Sequence, residues 1–186
     1  MRTVSGLLSG AILLCAHPIF AQDNRHEIVG NLIGTRSLKI LGSMDARYGA
    51  GASVQWLNPS RKLSFRGLPA KLNVEGYALL TNTNFAYGRG KRVVHTGVLV
   101  SGRYEYPLGA NRWFWEAGWG LNYSSRPSHD LESSFNSTPT IGVGAILGKK
   151  SPTYLTLRLM HMSNAGLSRK NNKGQNMLQL MIGFRF

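Results

Sequence analysis

His161 and Ser163 lie two residues apart, in a stretch that carries Leu155, Leu157 and Leu159 at the same parity. In an extended chain, side chains at i and i+2 project from one side. An imidazole and a hydroxyl at that spacing can work as general base and nucleophile, the pairing that drives acyl transfer. Their setting is unusual, because the three leucines mark an apolar side and a polar pair continuing it needs a reason. The bland reason is the headgroup zone of a membrane, where polar groups are cheap; the sharper one is a base and nucleophile pair. Other catalytic patterns are absent: the sequence has no G-x-S-x-G elbow, no H-E-x-x-H pair, no phosphate loop and no cysteine cluster. His129, Asp130 and Glu132 form a set that could hold a cation, but in a loop they read as solvated. No metal and no cofactor are expected.

The elements that must position the pair repeat with a period of two. Tyr48, Ala50, Ala52, Val54 and Trp56 alternate with Gly49, Gly51, Ser53 and Gln55, and Trp113, Trp115, Ala117, Trp119 and Leu121 alternate with Phe114, Glu116, Gly118, Gly120 and Asn122. Similar alternation runs through 72–81, 140–147 and 178–186. A helical period fits these segments poorly. No apolar run is long enough to cross a bilayer as a helix, which needs roughly 18 residues. Charged residues make up 16% of the chain while 22 glycines are present, a composition that excludes a disordered polyelectrolyte. Met1 and Arg2, the apolar stretch 6–16 and Ala21 read as an export signal over 1–21. The domain would then run over 22–186 without a cysteine, since Cys15 falls in the signal, so backbone pairing and packing must supply its stability.

Two architectures alternate in this way. In a soluble sandwich the apolar faces form the core and the polar faces meet water. In a membrane barrel the apolar face meets lipid, and Glu75, Glu105 and Glu116 point into a lumen where Arg103, Arg158 and Arg185 share their parity and neutralise them. Gly49, Gly51, Gly118, Gly120, Gly142 and Gly144 on that inner face would leave room for such side chains. The lumen explains more of the pattern, and the aromatics on the outer face suit lipid and its interfaces. The expected fold is therefore all-β, an eight-stranded antiparallel transmembrane barrel with strands near 26–41, 45–57, 72–86, 92–106, 112–123, 137–147, 153–163 and 175–186. Residues 107–111 and 148–152 are short periplasmic turns, and 124–136 and 164–174 are longer outward loops. The segment 58–70 is long for a turn and should hold extra structure. On this arrangement His161 and Ser163 lie near the outer end of the seventh strand, where the substrate would be a lipid of the outer leaflet.

The run His161-Met162-Ser163-Asn164-Ala165-Gly166-Leu167, followed by Asn172, Gly174, Gln175, Asn176 and an alternating strand to Phe186, resembles the signature of the PagL-type lipid A 3-O-deacylases. The segment 113–125, WFWEAGWGLNYSS, is also similar to a strand of that family. The resemblance implies an outer-membrane serine esterase that removes the ester-linked acyl chain at the 3-position of lipid A in lipopolysaccharide, by a Ser-His-Glu triad on the lipid-facing exterior of the barrel. Carried onto this chain, it makes Ser163 the nucleophile and His161 the general base. Asn164, with backbone N–H groups near Ala165 and Gly166, would form the oxyanion hole. It also leaves room for a homodimer.

The triad's acid is where this chain departs from the family. The candidates at the start of the last strand are Gln175 and Asn176, neither a carboxylate. Counting back from Phe186 through Phe184, Ile182, Leu180 and Leu178 puts Asn176 on the lipid-facing side, while Gln175 points inward unless a bulge reverses it. An amide oxygen can accept from the imidazole N–H, but it lacks the charge that steadies the imidazolium. The net charge of +14 has its own reading. Arg89, Lys91, Arg92, Arg126, Arg169, Lys170 and Lys173 would rim the outer face and attract anionic lipid, although solubility explains any single one equally well. With the excess scattered over loops, no nucleic-acid partner is expected. The rival reading is a non-enzymatic outer-membrane barrel of the adhesion or stability type.

Overall fold

The structure, a computed structural model, describes residues 25–64, 68, 70–83, 91–165 and 173–186. The expected export signal over 1–21 lies outside them. Nine strands form among these residues: β1 (Glu27–Leu38), β2 (Arg47–Pro59), β3 (Ala70–Thr83), β4 (Arg92–Leu108), β5 (Asn111–Ser124), β6 (Phe135–Ser137), β7 (Thr140–Leu147), β8 (Thr153–Met162) and β9 (Gln175–Arg185). All pairings are antiparallel between neighbours, and β1 closes on β9 in the register Leu32↔Ile182. The long segment after β2 holds the extra structure expected there, a single 3-10 turn at Arg61–Leu63. No helix among the described residues is long and apolar enough to cross a membrane.

β6 and β7 are two pieces of one stave. Leu121 pairs with Ser137 and Gly118 with Thr140, positions that belong to a single register along β5. The break falls at Thr138 and Pro139, because proline has no N–H to give to the ladder. Its carbonyl still accepts from His161 N at 3.0 Å, and Thr138 N donates to Gly120 O at 2.9 Å. The barrel therefore has eight staves, as its alternation predicts.

Burial separates barrel from sandwich. Glu75, Arg103, Glu116 and Arg158 are at most 2% exposed, whereas Leu32, Leu121 and Leu180 are 60% exposed or more. Charges lie inside and leucines outside, the inversion that a bilayer demands. Within the lumen Arg158 donates to both Glu75 and Glu116, with contacts of 2.6 and 2.8 Å from Nη2. Arg103 takes the other oxygen of Glu116 at 2.8 Å and reaches Gln55 Oε1 at 3.1 Å. A second group lies nearer the short-turn end, where Lys71 bridges Glu27 and Glu105 and Arg112 pairs with Glu105. Arg185, expected among the neutralising cations, is instead exposed at the end of β9, past the packed lumen. Lys71 and Arg112 take part in its place.

Small inner residues make this packing feasible. A Cβ at Gly144 would come within 2.4 Å of the Phe114 ring, and that ring supports the Arg103 guanidinium 4.2 Å from its centroid. On the outside, Tyr104 stacks on Trp115 and Tyr106 on Trp113 near the short-turn end, while Tyr123 meets Phe135 near the long loops. These are the two aromatic girdles of a spanning barrel.

Glu116 is the carboxylate that both buried guanidinium groups share. Removing one partner of a buried ion pair costs about 3–5 kcal/mol. Glu116→Ala should therefore lower the urea midpoint of the folded, heat-modifiable barrel by a corresponding amount, and an unchanged midpoint would show that the network does not hold the lumen together.

Candidate active site

β8 runs toward the long-loop end and carries His161 and Ser163 on its outward side, in line with Leu155, Leu157 and Leu159. Both are half-buried, so neither is sealed in the lumen and the two share one face of the wall. Ser163 ends the β8 ladder. It forms an isolated bridge with Ser137, exchanging Ser137 N to Ser163 O at 2.7 Å and Ser163 N to Ser137 O at 3.1 Å. Ser137 Oγ adds a further bond of 2.9 Å to the same Ser163 carbonyl. Two residues on, Ala165 adopts φ 52°, in the left-handed region.

His161 is set from the β9 side. It pairs in register with Asn176, and His161 Nδ1 lies 2.8 Å from Asn176 Oδ1. Asn176 is fully buried rather than solvated, and its Nδ2 donates to the Ile40 carbonyl at 2.7 Å. That second bond settles which way the amide faces. A carbonyl only accepts, so the NH2 group must turn to Ile40 and the oxygen to the ring. An amide oxygen only accepts in turn, so the imidazole carries its proton on Nδ1. Nε2 is then left with a lone pair, the form a general base requires.

Gly174 packs against the other side of the ring. Its φ is +76°, and a Cβ there would lie 2.6 Å from His161 Cε1. Gln175 carries the opposite parity to Asn176, pairs with Met162 and is fully buried. Its side-chain amide has no hydrogen-bond partner among the described residues and stays away from the imidazole. Asn164 keeps the inward parity of β8 and is 7% exposed. Gly166 lies outside the described residues.

The loop set His129, Asp130 and Glu132 does not assemble around a common point. Asp130 is buried and its Oδ2 accepts from Ser43 Oγ, Met44 N and Asp45 N, while His129 is exposed. Of the expected basic rim, Lys91, Arg92, Arg126 and Lys173 are exposed at the long-loop end. Arg89, Arg169 and Lys170 lie outside the described residues. Ile40, Gly174 and Asp130 were not singled out by sequence as parts of the site. Gly174 alone carries a signal, a glycine directly before the last strand.

Residues 46–185 match the family described as PagL, lipid A 3-O-deacylase. The chain belongs to this family. Among solved structures, the outer membrane enzyme PagL superposes with a TM-score of 0.61 at 18% identity, covering 82% of this chain and 97% of that one. Neisserial surface protein A superposes with a TM-score of 0.57 at 12% identity, covering 86% of this chain and 95% of that one. At such identities the two likenesses speak for the barrel alone. No curated protein matches the sequence. Membership in the PagL family makes the chain a lipid A 3-O-deacylase, a hydrolase.

Gly174→Ala should push the imidazole off its place beside Asn176, since the new methyl group meets the ring at 2.6 Å and the fixed Met162 carbonyl at 3.2 Å. Deacylation of lipid A should fall at least about tenfold while the barrel keeps its heat-modifiable migration. Full activity in a folded Gly174→Ala chain would mean that the ring position is not used.

Proposed function

We propose that this PagL-family chain deacylates lipid A by a serine-esterase mechanism, with Ser163 as nucleophile, His161 as general base and Asn176 as the group that orients His161. The observation that carries this reading is the 2.8 Å contact between His161 Nδ1 and Asn176 Oδ1, with the amide turned by Ile40 so that Nε2 keeps its lone pair, on a ring that shares the outward face of β8 with Ser163. Nε2 takes the proton of the Ser163 hydroxyl as Oγ bonds to the ester carbonyl carbon. The oxyanion of the tetrahedral intermediate forms where the β8 ladder ends. On the family's pattern the oxyanion hole falls to Asn164 and Gly166; because the Asn164 side chain keeps the inward parity, its contribution would be its backbone N–H, and one such donor is worth about 3 kcal/mol. Collapse breaks the bond to the sugar oxygen, which leaves with the proton from Nε2. Water then gives a proton to Nε2, attacks the acyl-serine carbonyl and releases the fatty acid, and Ser163 recovers its hydrogen.

The placement suits an amphiphile. Acyl chains lie against the leucines of β8, and the ester at the base of the headgroup meets the hydroxyl at the strand's outer end. The exposed cations Lys91, Arg92, Arg126 and Lys173 would draw lipid A phosphates toward this rim. Export by the segment 1–21 would deliver the barrel to the outer membrane, where lipopolysaccharide is the substrate.

Mass spectrometry of lipid A from expressing cells tests the reading. Loss of one 3-linked hydroxyacyl chain is expected, abolished by Ser163→Ala and by His161→Ala with the barrel still folded. Asn176→Glu, which restores the family's residue type, should keep or raise the activity. Unchanged lipid A beside intact protein would favour the non-enzymatic barrel, and a gain in mass would point to acyl transfer instead.

A further inference from the structure

An amide in the place of a triad carboxylate carries a specific hazard. A carboxylate can only accept from the imidazole, whichever oxygen faces it, but an amide that rotates by half a turn offers N–H instead. The imidazole then carries its proton on Nε2 and cannot act as a base. In serine proteases, where the triad acid has been replaced by its amide, this wrong tautomer accounts for a loss of about 10⁴ in kcat. A chain that holds Asn176 at this position therefore needs something outside the triad to keep the amide from turning.

The Ile40 carbonyl is the atom that does so, and the fold makes a considered effort to place it. Ile40 opens a tight turn closed by Ser43 N to Ile40 O at 3.0 Å, with Leu41 at φ 51° and Gly42 at φ 86°. Two consecutive left-handed residues suit glycine and asparagine, and leucine at the first costs conformational energy. Leu41 is 76% exposed, so no burial of its side chain repays that cost. The turn is held from outside. Asp130, from the loop between β5 and β6, accepts at one carboxylate oxygen from Ser43 Oγ at 2.8 Å, Met44 N at 2.8 Å and Asp45 N at 2.7 Å. Its own carbonyl accepts at 3.1 Å from Gly174 N, the same glycine that packs on the His161 ring. One buried aspartate thus ties the β1–β2 loop, the β5–β6 loop and the start of β9 around the imidazole.

We infer that the turn Ile40 to Ser43, clamped by Asp130, is the orienting device that lets Asn176 serve in place of a carboxylate, and that Asp130 is a positioning residue for the deacylation. The inference rests on the serine-esterase reading above and goes beyond it in making catalysis depend on a loop that touches neither Ser163 nor substrate.

A double-mutant cycle in purified, refolded full-length protein separates this role from general support of the loops. Asn176→Asp is nearly isosteric; it gives up the bond to the Ile40 carbonyl and sets an oxygen against it, but its carboxylate accepts from His161 Nδ1 in either orientation, so the tautomer no longer depends on Ile40. Asp130→Ala should reduce kcat on lipid A in mixed micelles at least about tenfold in the Asn176 chain, with KM little changed, and should have little effect in the Asn176→Asp chain. Equal factors in the two backgrounds would overturn the inference, since they would mark Asp130 as a mere loop tether. If Asp130→Ala does not fold, Ser43→Ala removes one of the three clamp bonds and should show the same dependence on residue 176 with a smaller factor. Nitrogen-15 spectra of histidine-labelled protein read the device directly: His161 should be protonated on Nδ1 in the native chain and shift toward Nε2 protonation in the clamp variant. An unchanged tautomer would contradict the inference even if Asn176→Asp proved inactive. Activity surviving Ser163→Ala would instead sink the esterase reading on which the inference stands, whereas an inactive Ser163→Ala chain without coupling between 130 and 176 sinks the clamp alone.

Discussion

A chain that crosses hydrocarbon must satisfy every backbone N–H and C=O within itself, and strands do so only when their sheet closes. Closure of β1 on β9 meets that demand and divides every strand into two unlike faces. The inner face can carry charge because Arg103, Arg158, Glu75 and Glu116 neutralise one another at hydrogen-bond distance, while the outer face must be apolar along the span. A polar pair on the outer face is therefore confined to the strand's end, where headgroups replace acyl chains. His161 and Ser163 occupy that boundary, and the same boundary is where the ester of a glycolipid lies. On the proposed mechanism, one constraint accounts for both position and substrate.

The site itself is assembled from backbone as much as from side chains. Asn176 meets the imidazole because β8 and β9 place the two residues opposite each other, and it faces the right way because the Ile40 carbonyl receives its N–H. Compared with a carboxylate, the amide gives up the charge that stabilises the imidazolium, and keeps the tautomer only through this second contact. On the proposed mechanism, the substitution trades electrostatic stabilisation inside the triad for geometry supplied by neighbouring loops. Buried asparagine at a strand start, with both ends of its amide engaged, is a structural solution that the residue type alone does not announce.

How much of this was legible in the sequence depends on whether a feature repeats. Strand positions, the inner charges and the sidedness of Asn176 and Gln175 all follow from the period of two, because one count of parity settles every side chain along a strand. Pro139 interrupts β6 and β7 without disturbing their register, so the eight-stave count survives a break in the ladder. Parity fails at the ends. Arg185 has the inner parity yet lies in the open because the strand runs out beneath it, and Lys71 enters the lumen network from a segment read as the edge of a loop. The contacts of Ile40, Gly174 and Asp130 join loops far apart in the chain through main-chain atoms, and no periodic pattern encodes them. Asp130 in particular reads as a solvated loop acid until its three partners at 43–45 are seen.

The central claim is that the outer wall carries an activated serine, held ready by an imidazole of defined tautomer. Labelling of the folded barrel with a fluorophosphonate, followed by peptide mass spectrometry, tests it most directly. The account predicts a covalent adduct on Ser163 in the native chain that disappears after heat unfolding and in His161→Gln. No adduct on Ser163, or one that forms equally well without the imidazole, would contradict it.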